Sequence, residues 1–69
     1  MDQVQFYDFI DINGRKMRAN INNIASIESL FNKVVITLNV KDRDGNFIVF
    51  TAVANYETVI KDIDKMRQN

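Results

Sequence analysis

Two dipeptides, Asn13-Gly14 and Asp44-Gly45, hold the only two glycines of a proline-free chain, and each lies between two segments of strand length. Glycine beside Asn or Asp is strong turn chemistry, because both residues tolerate the positive φ that tight hairpins require. The first dipeptide predicts a type I′ turn joining Phe6 to Ile12 with Arg15 to Ile21 as a hairpin. The second, as Asp44-Gly45 or Gly45-Asn46, joins Val34 to Val40 with Phe47 to Val53. Between the hairpins, Ile24 to Leu30 alternates weakly and reads as another strand. The preceding Asn20-Ile21-Asn22-Asn23 is turn-rich and could close a short helical turn.

At the carboxyl end the apolar period lengthens from two to about 3.6. Tyr56, Val59, Ile60, Ile63 and Met66 fall on one helical face, with Lys61, Asp62, Asp64 and Lys65 opposite. Asn55 is placed to cap the start of this helix, Glu57 complements its positive end, and Lys65 and Arg67 complement its negative end. Residues 1–69 therefore read as one α+β domain: an antiparallel meander of four to five strands followed by one amphipathic helix. Both strand faces carry apolar residues. Phe6, Ile10 and Ile12 share one parity and Tyr7 and Phe9 the other; Phe47 and Val49 share one and Ile48 and Phe50 the other. A one-sided sheet needs only one apolar face, so the sheet is expected to bend strongly into a small barrel or to bury its second face against another copy of the chain. A homo-oligomer, dimer or larger, is the favoured expectation at 69 residues. The residues assigned to the open face are Tyr7, Phe9, Ile48 and Phe50, where they would serve a protein interface or an ordinary core.

Composition limits the chemistry. With no cysteine and no histidine, the common zinc, copper and haem ligands are missing, as is every Ser/His/Asp or Cys/His arrangement. Glu28 and Asp8 are acids within apolar stretches, but a domain this small has little room for a substrate cleft. The expectation is a protein that is not an enzyme and uses no cofactor or metal. Asp42-Arg43-Asp44-Gly45-Asn46 resembles part of a calcium loop, yet aligning Gly45 with the invariant glycine puts Val40 at the first ligand position and Thr51 where a bidentate Glu belongs. A polar hairpin turn accounts for the same residues. Met17 and Met66 are simplest as core or interface fillers.

Nine basic residues balance nine acidic ones, so no overall positive field draws the chain to nucleic acid. Arg15, Lys16 and Arg18 still form a local basic cluster, which beside Tyr7 or Phe9 offers the combination of single-strand binding sites; this is the alternative reading. No apolar run approaches a membrane span and the chain begins Met1-Asp2-Gln3, which together predict a cytoplasmic protein.

Read from Ile12 onward, Ile12-Asn13-Gly14-Arg15-Lys16, Asn20, Ile24-Ala25-Ser26-Ile27-Glu28, Val35-Ile36-Thr37-Leu38, Gly45 and Glu57-Thr58-Val59-Ile60 resemble the FlbD family. These are small bacterial proteins encoded among flagellar genes and linked to motility. The resemblance implies a small regulatory accessory protein that acts through protein partners. The coarse order of strands and helix is also similar to that of the carbon-storage regulator, an RNA-binding homodimer. Its Arg-Lys-x-Gly-Glu opening and Val-His-Arg segment are absent here. LytTR domains share an Ile-x-x-Ile-Glu strand but are longer, and they read DNA with residues this chain lacks.

Overall fold

A computed structural model of the chain describes residues 5–67. It is an α+β domain with five strands, β1 (Phe6–Ile10), β2 (Lys16–Asn20), β3 (Ile24–Leu30), β4 (Lys33–Lys41) and β5 (Phe47–Ala52), followed by one helix, α1 (Tyr56–Arg67). A single 3-10 turn, Ile21–Asn23, follows β2, with the Asn20 side chain accepting from the Asn22 N–H at its start.

Both glycine turns close the hairpins expected of them, the first by a geometry other than the type I′ turn expected of Asn13-Gly14. A type I′ turn needs positive φ at both central residues. Here Gly14 (φ 82°) and Gly45 (φ 81°) are left-handed, while Asn13 and Asp44 are not. Each loop is one residue longer than a I′ connection. The Gly14 N–H donates to the Asp11 carbonyl (2.9 Å) and the Asp11 N–H to the Arg15 carbonyl (3.0 Å). In the second turn the Gly45 N–H donates to the Asp42 carbonyl (3.1 Å) and the Asp42 N–H to the Asn46 carbonyl (2.9 Å). This is a type I turn followed by a glycine in the left-handed region, the usual three-residue solution. The shared determinant is Asp-x-x-Gly, with the aspartate three residues before the glycine. Its side chain accepts from backbone two and four residues on, at Asn13 and Arg15 in one loop and at Asp44 and Asn46 in the other.

The strands do not form one uninterrupted meander. β1 pairs with β2 in one antiparallel sheet, and β3, β4 and β5 pair in order in another. The 3-10 turn separates β2 from β3, so those two consecutive strands are not neighbours in either sheet. The sheets are joined instead by a non-local contact between the ends of β1 and β5. Asp11 bridges Ala52, the Ile12 N–H donates to the Thr51 carbonyl and the Val53 N–H to the Ile10 carbonyl, both at 3.1 Å. The register shifts between Ile24 and Ser26 on β3 and between Thr37 and Lys41 on β4. Such irregularities add local twist and bend the sheet.

Helix α1 starts where the sequence predicts. The Asn55 side chain accepts from the Glu57 N–H (2.9 Å) and the Thr58 N–H (3.2 Å), satisfying donors that the first helical turn leaves open. Val59 and Ile63 project from it into a core built on Val34, Ile36 and Ala52, all essentially inaccessible to solvent. Tyr7, Phe9, Ala19, Ile21 and Ile24 complete that core. No helix among the described residues is long and apolar enough to cross a membrane.

Candidate interaction surface

The alternation of β1 decides which residues face outward. Tyr7 and Phe9 point inward and are buried, whereas Phe6, Asp8 and Ile10 are exposed. The two inward rings stack with centroids 6.0 Å apart, and Phe9 meets Phe50 of β5 edge-on at 5.7 Å. Phe50 is half-buried against the same core, and Ile48 is half-buried on β5. Three of the four residues assigned to the open face, Tyr7, Phe9 and Phe50, are thus packed into the side covered by α1 and the three-stranded sheet. The open face belongs to the opposite parity.

That parity was marked in the sequence by its polar members. Asp8 shares it with Phe6 and Ile10 on β1, and Thr51 shares it with Phe47 and Val49 on β5. A charged residue between two aromatics locates the solvent side, because burying an unpaired charge is costly. The join between the sheets then brings the outward residues of two distant strands together. Ile10 lies opposite Val53 and Ile12 opposite Thr51 across the paired backbones. Ile10, Ile12, Val49 and Val53 are all exposed, at 51%, 52%, 52% and 61%. Their side chains form an aliphatic strip that runs across the junction of the two sheets.

Aromatic residues flank the strip, each capped by a cation. The Arg18 guanidinium lies 5.6 Å from the centre of the Phe6 ring and the Lys41 ammonium 5.2 Å from that of Phe47. Arg18 also makes a two-point pair with Asp8, at 2.7 and 3.2 Å. These bonds hold the Asp8 carboxyl below its ordinary range and push the Arg18 guanidinium further up. Arg15 is similarly engaged, its Nε donating to Asp11 at 2.9 Å. Of the basic cluster proposed for nucleic acid, Arg15 and Arg18 already sit on carboxylates, and Lys16 lies exposed on β2 opposite Ile10.

Asp11 was not singled out by its sequence context, yet it is the only buried charged residue among those described. It accepts from the Arg15 N–H, the Arg15 guanidinium and the Asn13 N–H. The Arg15 backbone bond contributes most to keeping its carboxyl below the usual range, against the opposing effect of burial. The signal that could have found it is the repeated Asp-x-x-Gly spacing, which Asp42 and Gly45 share.

A groove of about 560 Å³ runs between β1 and α1, lined by Gln5, Tyr7, Asp8, Asp62 and Lys65 among others. Burial pushes the Tyr7 hydroxyl up, and nearby Asp62 adds to this. Gln5 Oε1 is buried there with no hydrogen-bond partner among the described residues. Among those residues, no cluster of three acids is placed to hold a metal ion. The Asp42 to Asn46 segment, which resembles part of a calcium loop, is the second hairpin turn, its Asp42 side chain accepting from the backbone N–H groups of Asp44 and Asn46.

No family model matches the chain, and neither a curated protein nor a solved structure is significantly similar to it.

Proposed function

We propose that this chain is a cytoplasmic, non-catalytic interaction module that self-associates through the outward face of β1 and β5 and acts as a regulatory accessory of a protein partner. The observation that carries this reading is the aliphatic strip of Ile10, Ile12, Val49 and Val53. Four adjacent branched side chains, each at least half exposed, are a surface that water disfavours and a second apolar surface would cover. Zero formal net charge leaves little long-range repulsion between copies. Covering the strip would close the second apolar face of the bent sheet without requiring the strands to curl into a complete barrel. The resemblance to the FlbD family supports the accessory role and the choice of a protein as partner.

Binding of RNA or DNA is the competing function. It is disfavoured because Arg15 and Arg18 would have to exchange existing carboxylate partners for phosphates, which weakens the counterion-release advantage that drives such binding. Size-exclusion chromatography with light scattering, recording absorbance at 260 and 280 nm, tests both readings together. The chain has no tryptophan and two tyrosines, so bound nucleic acid would dominate the spectrum. The expected result is an assembly with protein-like absorbance. A peak rich in 260 nm absorbance that shrinks with added salt would favour the nucleic-acid reading instead.

A further inference from the structure

Asn13 is the only asparagine of the chain with glycine after it; elsewhere the following residue is Ile, Asn, Lys, Val, Phe or Tyr. The backbone nitrogen that follows an asparagine can attack that residue's side-chain amide carbon and close a five-membered imide. A side chain on the attacking residue crowds the approach, and glycine has none. Asn13 and Gly14 are both exposed, and a Cβ placed on Gly14 would meet nothing within 4 Å. Sterically, the approach is open.

The loop's hydrogen bonds hold the reaction back. The Gly14 N–H donates to the Asp11 carbonyl at 2.9 Å, and the N–H groups of Asn13 and Arg15 donate to Asp11 Oδ1, each at 2.9 Å. Asn13 is the second central residue of this type I turn, a position with ψ near about 0°. Closing the imide turns the Asn13–Gly14 peptide toward the Asn13 side chain and takes the proton from the Gly14 nitrogen, so the Gly14 bond to Asp11 has to break first. We propose that Asn13 is a site of spontaneous deamidation to aspartate and isoaspartate, and that the grip of Asp11 on the loop sets its rate.

The atoms balance with water as the only co-reactant. The Gly14 nitrogen loses its proton and bonds to Asn13 Cγ, the Cγ–Nδ2 bond breaks, and Nδ2 leaves with that proton as ammonia. Water then opens the imide, its hydroxyl going to a carbonyl carbon and its hydrogen to the nitrogen. Opening at Cγ leaves aspartate. Opening at the Asn13 main-chain carbonyl leaves isoaspartate, whose backbone runs through Cβ and Cγ and lengthens the loop. Either product sets a new carboxylate beside Ile12 of the aliphatic strip. The second turn supplies a contrast, because Asp44-Gly45 is held by Asp42 through the same backbone bonds but offers a carboxylate, a far poorer target for a nucleophile than an amide.

The test is peptide mass mapping of the native chain incubated at mildly alkaline pH, folded and in urea, with isoaspartate assayed in the Asn13 peptide. Asn13 is expected to be modified before any other asparagine and faster in urea than in the folded chain. Asp11→Ala is expected to raise the folded rate by about fivefold or more, the factor that one hydrogen bond is worth, whereas Asp42→Ala leaves it unchanged. Another asparagine reacting first, or an intact Asn13 in urea, would overturn the site. Equal rates folded and in urea, or an unchanged rate in an Asp11→Ala chain that circular dichroism shows to be folded, would overturn the control by Asp11. Should Asp11→Ala not fold, amide exchange at Gly14 in the native chain takes its place. Exchange and deamidation are then expected to rise together with added urea, and a rise in exchange alone would overturn that control.

Discussion

Asp11 grips Arg15 at two points: one carboxylate oxygen accepts from the Arg15 backbone N–H and the other from its Nε, each at 2.9 Å. This pair closes the first hairpin at the place where β1 turns away from its bridge to Ala52. The carboxylate thus holds the turn at the residue whose backbone bridges the two sheets.

A pH dependence follows. Asp11 and Asp8 both have carboxyls held below the ordinary range, whereas an unfolded Asp titrates near about 3.9. In acid the unfolded chain binds protons first, so the stabilisation is complete above the unfolded pKa and is lost as pH falls through the folded values. The melting temperature is expected to stay level from about pH 7 to pH 5 and to fall below about pH 4. Asp11→Ala should be less stable at neutral pH and show a shallower acid decline. An acid limb identical to that of the native chain would show that Asp11 contributes none of it.

The equivalent Asp42 makes the same backbone bonds in the open, and the residue after its glycine is Asn46 in place of an arginine. Asp11→Ala is therefore expected to lower the melting temperature more than Asp42→Ala. Equal losses in thermal unfolding followed by circular dichroism would mean that burial and the Arg15 side chain add nothing.

Gly14 and Gly45 isolate the cost of backbone conformation. A Cβ added at either position would meet nothing within 4 Å, so Gly14→Ala and Gly45→Ala introduce strain without a clash. Each is expected to cost about 1–2 kcal/mol in chemical denaturation. Replacement by Asn, which tolerates the left-handed region, should cost less.

The helix depends on its first turn. Asn55→Ala removes the acceptor for two N–H groups and is expected to cost about 1 kcal/mol. Ile36→Ala, at a fully buried position, is expected to cost about 2–5 kcal/mol. For a domain of this size that is a large share of its total stability.

The local features of this fold were legible in order. Apolar runs located β1, β3, β4 and β5, the two glycines located the hairpins that join β1 to β2 and β4 to β5, and Asn55 with the change of period located the helix. Local sequence did not reveal the contact of β1 with β5, because it joins segments about forty residues apart and leaves no trace in either one's periodicity. Loop geometry was misread because Asn-Gly satisfies two turn types, and the Asp three residues before the glycine selects the longer one. Tyr7 and Phe9 are assigned to the open face of β1 in the sequence, although the charged Asp8 lies on the opposite parity. Asp8, paired with Arg18 in solvent, was the better guide, since charge marks the wet side of a strand more reliably than ring size marks the dry one.

The claim that Ile10, Ile12, Val49 and Val53 form the self-association face is tested most directly by methyl NMR over a dilution series of Ile- and Val-labelled protein. Methyl shifts of those four residues are expected to move together with concentration, while those of Val34, Ile36, Val59 and Ile63 in the core stay fixed. Concentration-dependent shifts confined to other residues, or none at any concentration reached, would contradict the account.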